Sequence, residues 1–468
     1  MSIFEKRREL FMAAGASLLC SVCNAEKAPE SVPERPNIVL ITADDLGHQL
    51  SCYGDRVIKT PNIDSLFEHG VKFSNAYVPT ASCSPSRSAI LTGLYPHQNG
   101  QIGLSHMGFS MHKSYPSIPN ELKKAGYRTG VIGKIHVNPE NGFNFDYHSQ
   151  YHKWKYNTKE IQKAADSANE FLSSKSKKPF FLYVNYFDPH DPMTDQVNGI
   201  PKKVLTAADM PQSKNASAFN KEGYDGPQTR FGFKRPASYY NQVRRLDQGV
   251  GMLLNELKKS GKLKNTMIIF ISDHGIKGKT TCREAGVRVP LLVSWPGHTL
   301  KKYTCDKLVS SIDLMPSILA VAGVRGNEYK GEGRSFLPLL EGKNIPWRKY
   351  VYTEMNFHTP FILRVVRTVR DDRYKLMKTS FLSHKTEKLE PVKFYDLQKD
   401  PLGYKNVASK PEYAAEIKRL GTELLDWQKR TGDPLLEPQT LPAWIERYKA
   451  AEKEMEAKKK LKKKDKRN

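Results

Sequence analysis

Four short apolar runs, each leading into charged or titratable residues, constrain this chain more than any other feature. Asn37 to Thr42 (Asn-Ile-Val-Leu-Ile-Thr) leads to Asp44-Asp45, and Thr129 to Ile132 leads to Lys134 and His136. Pro179 to Asn185 leads to Asp188-Pro189-His190, and Thr266 to Ser272 leads to Asp273-His274. Runs this short and this apolar are the pattern of parallel strands buried on both faces. In an open α/β sheet the binding crevice lies outside the carboxyl ends of the strands, so the four polar clusters are expected to converge. Helical stretches separate them: Pro119 to Ala125 closes on Gly126, and Tyr239 to Ser260, with Leu246, Val250, Leu253, Leu254 and Leu257 at helical spacing, closes on Gly261. Strands alternating with helices predict an α/β fold with a mostly parallel sheet sandwiched by helices.

At 468 residues the chain exceeds one ordinary core, and a second, smaller unit is expected. After Pro346 the pattern shifts to shorter strand-like runs, Phe361 to Val369 and Tyr374 to Met377, and then a helix around Tyr413 to Lys429, which reads as an α+β subdomain. The expected organisation is an export signal over 1–25, a catalytic domain over 36–345, the subdomain over 346–440 and a basic tail over 441–468. The stretch from Met193 to Pro236, rich in Pro, Gly, Asn and Lys, reads as a long loop that either frames a site or is a surface insertion.

Residues 1 to 25 carry Lys6-Arg7-Arg8, an apolar run from Leu10 to Leu19 and a small residue at Ala25, the layout of an export signal. Twin-arginine, general secretory and lipoprotein routes, the last through Cys20 or Cys23, are all compatible with it, and the expected location is periplasmic or secreted, with or without a lipid anchor. No later apolar run approaches bilayer-spanning length. Past the signal remain Cys52, Cys83, Cys282 and Cys305, too few for a disulfide framework, with Cys282 and Cys305 either paired or two buried thiols. The net charge of +25 is partly a tail effect: from Lys449 on, ten basic residues face four acidic ones, a solvated helix or disorder. The remaining excess of base suits a polyanionic substrate, and no nucleic-acid partner is expected.

Cys83-Ser84-Pro85-Ser86-Arg87, continued by Leu91-Thr92-Gly93, resembles the signature of the formylglycine-dependent sulfatase family of the alkaline phosphatase superfamily, in which the cysteine is converted to an aldehyde. Asp44-Asp45, Thr60-Pro61-Asn62-Ile63-Asp64, Gly133-Lys134, Asp273-His274-Gly275, Gly286-Val287-Arg288-Val289-Pro290 and Phe394-Tyr395-Asp396-Leu397 follow in the family's order. Within the family, Ser82 to Arg87, His97-Gln98-Asn99-Gly100, Arg128 to Val137 and Asp188-Pro189-His190 look most like the N-sulfoglucosamine sulfohydrolases, the heparan N-sulfatases. The resemblance implies an alkaline-phosphatase-like fold, a sulfated saccharide substrate and a formylglycine-generating maturation enzyme as partner; homo-oligomers are left open.

The chemistry suits those residue types. A sulfate ester or sulfamate is an anion that repels nucleophiles, so the site needs a positive field. A thiol that attacked sulfur would have no internal way to release it, whereas a hydrated aldehyde attacks with one hydroxyl and expels sulfate with the other. The resemblance implies that Asp44, Asp45, Asp273 and His274, with modified Cys83, hold one divalent cation, calcium first. It implies that Arg87 steadies the hydrate, Lys134 and Lys279 hold sulfate oxygens, His136 is the base that collapses the intermediate, and His190 protonates the leaving group. Lys277 is a rival to Lys279, and Asp188 either binds the sugar or shapes the turn before Pro189. His274 departs from the heparan N-sulfatase pattern, which has an amide there. Glu284 and Arg288 read equally as an internal salt bridge or as substrate contacts. Individually each residue has an ordinary explanation in a turn or a core; in order and at strand ends they form a site. The other readings are an O-sulfatase on another sulfated sugar, a phosphoester or phosphonate hydrolase of the same superfamily, and a glycan-binding protein without the modification.

Overall fold

The computed structural model describes residues 35–149, 160–190, 236–275, 278–324, 329–383 and 389–464. The export segment, most of the Met193–Pro236 stretch and Lys277 lie outside these residues. In chain order the strands are β1 (Asn37–Ala43), β2 (Val71–Phe73), β3 (Ala76–Tyr77), β4 (Arg128–Gly133), β5 (Tyr147–Ser149), β6 (Phe180–Asn185) and β7 (Thr266–Ser272). They continue as β8 (Leu291–Ser294), β9 (Tyr303–Cys305), β10 (Val309–Ser310), β11 (Val351–Thr359), β12 (Ile362–Arg370), β13 (Tyr374–Leu382) and β14 (Val392–Asp396).

The main sheet has the order β5-β4-β6-β1-β7-β8-β2-β9. Its first five strands are parallel, and only β8 runs against the rest. The four runs singled out in the sequence are β4, β6, β1 and β7, four consecutive neighbours. With strands about 4.8 Å apart, their carboxyl ends are forced side by side. Thr42 stands opposite Asn185, and Ala43 opposite Ser272, which puts Asp44 and Asp273 on adjacent strand exits.

Both faces of this sheet are covered, which explains why its strands are apolar without alternation. Ile38, Leu40, Val131, Phe181, Tyr183, Met267, Ile269 and Ile271 pack into one core with Ile118, Leu122, Leu314 and Ile318 from helices. Val39, Ile41, Leu182, Val184, Ile268 and Phe270 pack into another with Ile161, Phe171, Tyr239, Val243, Leu246, Val250, Leu253 and Leu257. The helix Pro236–Lys259 supplies the last six, the periodic stripe read in the sequence, with Leu254 only partly buried beside it.

The second sheet, β11-β12-β13-β14, is antiparallel. The helix Ala414–Thr431 packs on it through Leu420, Leu424 and Trp427, in a cluster that also takes in Ala89, Tyr95 and Ile312 from the preceding part of the chain. The last segment forms a helix, Thr440–Lys464. Its first turns are anchored: Leu441, Trp444, Ile445 and Tyr448 pack with Phe109, Phe357, Leu363 and Val365. Cys282 and Cys305 are free thiols buried in different clusters, so the alternative of a bond between them is corrected. Among the described residues no helix is long and apolar enough to cross a membrane.

Candidate active site

Cys83 opens the helix Cys83–Thr92, whose residues are all buried. Pro85 sits in its first turn, where the missing N–H costs nothing. The preceding Ser82 is extended and makes no capping bond; its Oγ lies 2.9 Å from His358 Nδ1. The helix therefore presents uncapped N–H groups and the positive end of its dipole next to the Cys83 side chain.

Around that end the strand exits deliver their side chains. Cys83 Sγ is 3.6 Å from Asp44 Oδ1 and 3.3 Å from His274 Nε2. His274 Nδ1 is 3.3 Å from Asp45 Oδ1. Asp44, Asp45, Cys83 and His274 each offer one ligand atom, all within 4.8 Å of one another. Asp273 stands just outside this cluster: its Oδ1 accepts from the Asp45 N–H and its Oδ2 from Arg87 Nε at 2.9 Å. The expected ligand set thus divides into four converging groups and a fifth turned towards an arginine.

Three cations meet these carboxylates. Arg87, fully buried, also lies 3.5 Å from Asp44 and donates from Nη1 to Asn185 Oδ1 at 2.8 Å, yet its Nη2 has no hydrogen-bond partner. Lys134 Nζ bonds to Asp44 Oδ2. Lys279 Nζ bonds to both oxygens of Asp45, at 2.9 and 3.0 Å, and is 3.0 Å from His190 Nε2. Burial alone would push Asp44 and Asp45 up, but the surrounding cations together, Lys134, His190, Arg87 and Lys279 on Asp44 and Lys279, His190 and His274 on Asp45, outweigh it and hold both carboxyls below the usual range.

The two histidines are driven apart. Burial, then Lys134, holds His136 well below the ordinary imidazole range. His190 resists burial and Lys279 because Asp45 and Asp44 lie close, and it is raised. Opposite displacement of two neighbouring titratable groups is how one site keeps a base and an acid at the same pH. Backbone strain marks the same place: Asp45, His136 and Thr280 have φ of 69°, 58° and 65° without being glycine.

Not every expected residue has its side chain free for a substrate. The Asp188 carboxylate is buried and taken by both Nε and Nη2 of Arg245, while its carbonyl accepts the Asp44 N–H at 3.2 Å. Those contacts anchor Asp188 within the fold, its carboxylate to Arg245 and its carbonyl to the strand exit at Asp44. Glu284 accepts from Tyr77 Oη at 2.6 Å and from Lys375 Nζ at 2.7 Å, and Arg288 donates to the Ser74 carbonyl, so both are internal and neither bonds the other. Asn185, Arg245, His106 and His358 are site neighbours that no sequence pattern marks as functional. Asn185 accepts from Thr42 Oγ1 at 2.6 Å and from Arg87, and His106 Nδ1 is 2.7 Å from His136 Nε2.

The donor set fits a divalent cation. Asp44 and Asp45 are buried carboxylates whose oxygens converge with those of their neighbours, and two lysines already neutralise them. The two carboxylates are hard oxygen donors that suit calcium, while His274 and the unconverted Cys83 sulfur are the softer members.

The family model described as Sulfatase matches residues 36–324, and one described as N-sulphoglucosamine sulphohydrolase, C-terminal, matches 272–430. An ulvan-active sulfatase of Formosa agariphila is 30% identical over 445 residues, covering 87% of this chain and 82% of that protein. Human N-sulphoglucosamine sulphohydrolase is 31% identical over 461 residues, covering 85% and 91%. Among solved structures, one in complex with its substrate D-glucosamine-2-N,6-O-disulfate superposes with a TM-score of 0.65 at 24% identity, covering 86% of this chain and 99% of that one. A phosphonate monoester hydrolase of Agrobacterium radiobacter superposes at 0.68 with 22% identity, covering 85% and 96%, so the fold alone is shared with enzymes of other anions. With a family model matching residues 36–324 and a relative 31% identical over 85% of the chain, this chain belongs to the sulfatase family.

Proposed function

We propose that this protein hydrolyses sulfate from a sulfated glycan, with the N-sulfate of glucosamine from heparin or heparan sulfate as first substrate, after conversion of Cys83 to formylglycine and with one bound calcium. The observation that carries the reading is the joint placement of Cys83, two strand-end aspartates and His274 around the amino end of one helix, ringed by Arg87, Lys134 and Lys279. Two relatives at about a third identity or just under act on ulvan and on N-sulphoglucosamine, as their names state, and the substrate of the structural neighbour carries both N- and O-sulfate.

The aldehyde hydrate supplies a paired hydroxyl nucleophile, one hydroxyl to take the sulfuryl group and one to release it. Asp44, Asp45, His274 and Asp273 would hold calcium, which supplies charge that orients sulfate. The chain's own residues do the rest. Lys134 and Lys279, placed beside Asp44 and Asp45, would hold the sulfate oxygens. Arg87, with one Nη2 unsatisfied, has a donor in reserve for the hydrate. His190, raised against burial and Lys279 by the nearby Asp45 and Asp44, is the acid that gives a proton to the departing amine or alcohol. His136, kept neutral by burial and Lys134, takes a proton from the remaining hydroxyl.

The test is sulfate release by mature protein from defined N-, 2-O- and 6-O-sulfated saccharides and a phosphonate monoester. Release from N-sulfoglucosamine is expected. Release from O-sulfated sugars with N-sulfoglucosamine untouched would move the substrate to the O-sulfates, and turnover of the phosphonate alone would overturn the sulfatase reading. Lys6-Arg7-Arg8, the apolar run from Leu10 to Leu19 and Ala25 support an exported protein, and the Cys83 signature a formylglycine-generating maturation enzyme; locating the protein in cell fractions tests the first.

A further inference from the structure

His106 lies on the short turn Ser105–Met107 and is exposed, whereas His136 lies beyond the end of β4, inside the site. Their rings meet through His106 Nδ1 and His136 Nε2 at 2.7 Å. The ring centroids are 5.0 Å apart with planes 18° from parallel. An N···N distance that short at that centroid spacing is an in-plane N–H···N hydrogen bond joining two imidazoles edge to edge, since stacked faces would hold the nitrogens farther apart. The other nitrogen of His136, Nδ1, is buried without a hydrogen-bond partner. His136 itself sits in the left-handed region, at φ 58°.

The geometry points to His106 as a proton-relay residue acting through His136: it receives through Nδ1 the proton that His136 passes on from Nε2, and delivers it to the solvent side. This rests on the reading of His136 as base. In the tautomer required, His136 carries its proton on Nε2 and keeps Nδ1 bare. When Nδ1 takes the proton of the remaining hydroxyl, the Nε2 proton crosses to His106 Nδ1, and His106 releases its own Nε2 proton outward. No net charge is left on His136, and no oxidant or other reactant is needed.

The surroundings explain why a relay is useful. Lys134 and Arg87 repel a cation on His136, and Asp44 only partly compensates. His106 faces Lys134 and His190 too, but it is exposed, so water can accept what it receives. A lone His136 would have to hold an imidazolium beside Lys134 until sulfate left.

The experiment compares wild type, His106→Ala, His106→Gln and His136→Ala as full chains carrying the modification, assayed on the saccharide the wild type turns over. His106→Ala is expected to lower kcat about tenfold, with KM little changed. Free imidazole in the buffer is expected to restore much of that loss and to leave wild type unaffected. His106→Gln, which can accept a hydrogen bond and cannot relay, is expected to behave like His106→Ala. Full activity in His106→Gln, or in His106→Ala without imidazole, would overturn the relay. Nitrogen-15 spectra of the histidine rings, assigned by the same variants, read the tautomer without turnover. His136 protonated on Nε2 supports the relay; His136 protonated on Nδ1, with His106 as donor, contradicts it. A wild type that released no sulfate from any saccharide would remove the sulfatase reading, and the spectra would still decide the tautomer the relay requires.

Discussion

Two buried arginines divide the molecule. Arg367, on β12 of the antiparallel sheet, places Nε and Nη2 on the two oxygens of Asp433 at 2.6 and 3.0 Å and Nη1 on Asn356 Oδ1 at 2.9 Å. Arg87, at the end of the parallel sheet, divides itself between Asp273 at 2.9 Å and Asp44 at 3.5 Å and leaves Nη2 without a hydrogen bond. One arrangement is closed, with every strong donor matched. The other is open, its donors and acceptors crowded and incompletely matched. Three of the four non-glycine residues with left-handed backbone among those described belong to the open region. A closed pair fixes a sheet. An open one keeps a positive field available to an incoming anion, at a cost in stability that the surrounding core offsets.

The largest contrast expected is in chemistry. Cys83→Ala should abolish sulfate release, by on the order of 10⁴-fold or more, while leaving the fold intact, since the side chain it removes is small. Steady-state sulfate release and circular dichroism together check this.

Exchanging each arginine for methionine then separates the regions. Arg87→Met is expected to lower kcat per folded molecule by roughly 10²- to 10³-fold. Arg367→Met should leave kcat per folded molecule near wild type and destabilise the protein by about 3–5 kcal/mol, because Asp433 is left buried without its partner. Denaturant unfolding and active-site-normalised kinetics read both quantities; equal loss of kcat in the two variants would erase the distinction.

Cation binding is expected to act on one region only. Calcium at a hundredfold excess over its dissociation constant should stabilise the protein by about 2.7 kcal/mol. The effect should be reversed by a chelator, absent in Asp45→Asn and retained in Asp433→Asn. Thermal unfolding with and without calcium measures it.

The smallest effect is the acid response of the closed pair. Burial opposes the charge of Asp433, but Arg367 outweighs it and lowers the carboxyl to about 2. An unfolded aspartate titrates near 3.9, so this pair adds stability above about pH 4 and loses it as pH falls through 2, by about 2.6 kcal/mol in all. Urea unfolding at pH 6 and pH 3 should show roughly half of that increment in wild type and not in Asp433→Asn.

The parallel sheet was legible because strands covered on both faces cannot hide their composition: β1, β4, β6 and β7 stand within a residue or so of the runs read in the sequence. The polar groups at their ends followed from the same logic. Strand β11 was not legible. Its residues are all buried, yet it reads Val-Tyr-Thr-Glu-Met-Asn-Phe-His-Thr, because its polar side chains are matched by distant partners. Glu354 holds His97, Thr353 bonds Thr368, and His358 meets Ser82, the residue before Cys83. Arg245 was hidden for a related reason: a cation in the middle of a long helix reads as solvated, and only the fold shows that it faces Asp188. His106 had no signal at all, since nothing local ties a surface turn to a residue thirty positions on. Pairing across sequence is what composition and periodicity leave out.

The account turns on Cys83 being more than a buried thiol, and mass spectrometry of the peptide that contains it, from protein made in its native host, tests that directly. The expected result is a residue with the mass of formylglycine, trapped by a carbonyl reagent, in the fraction of molecules that release sulfate. Cys83 recovered wholly as an unmodified thiol, in protein that nevertheless hydrolyses sulfated glycans, would contradict it.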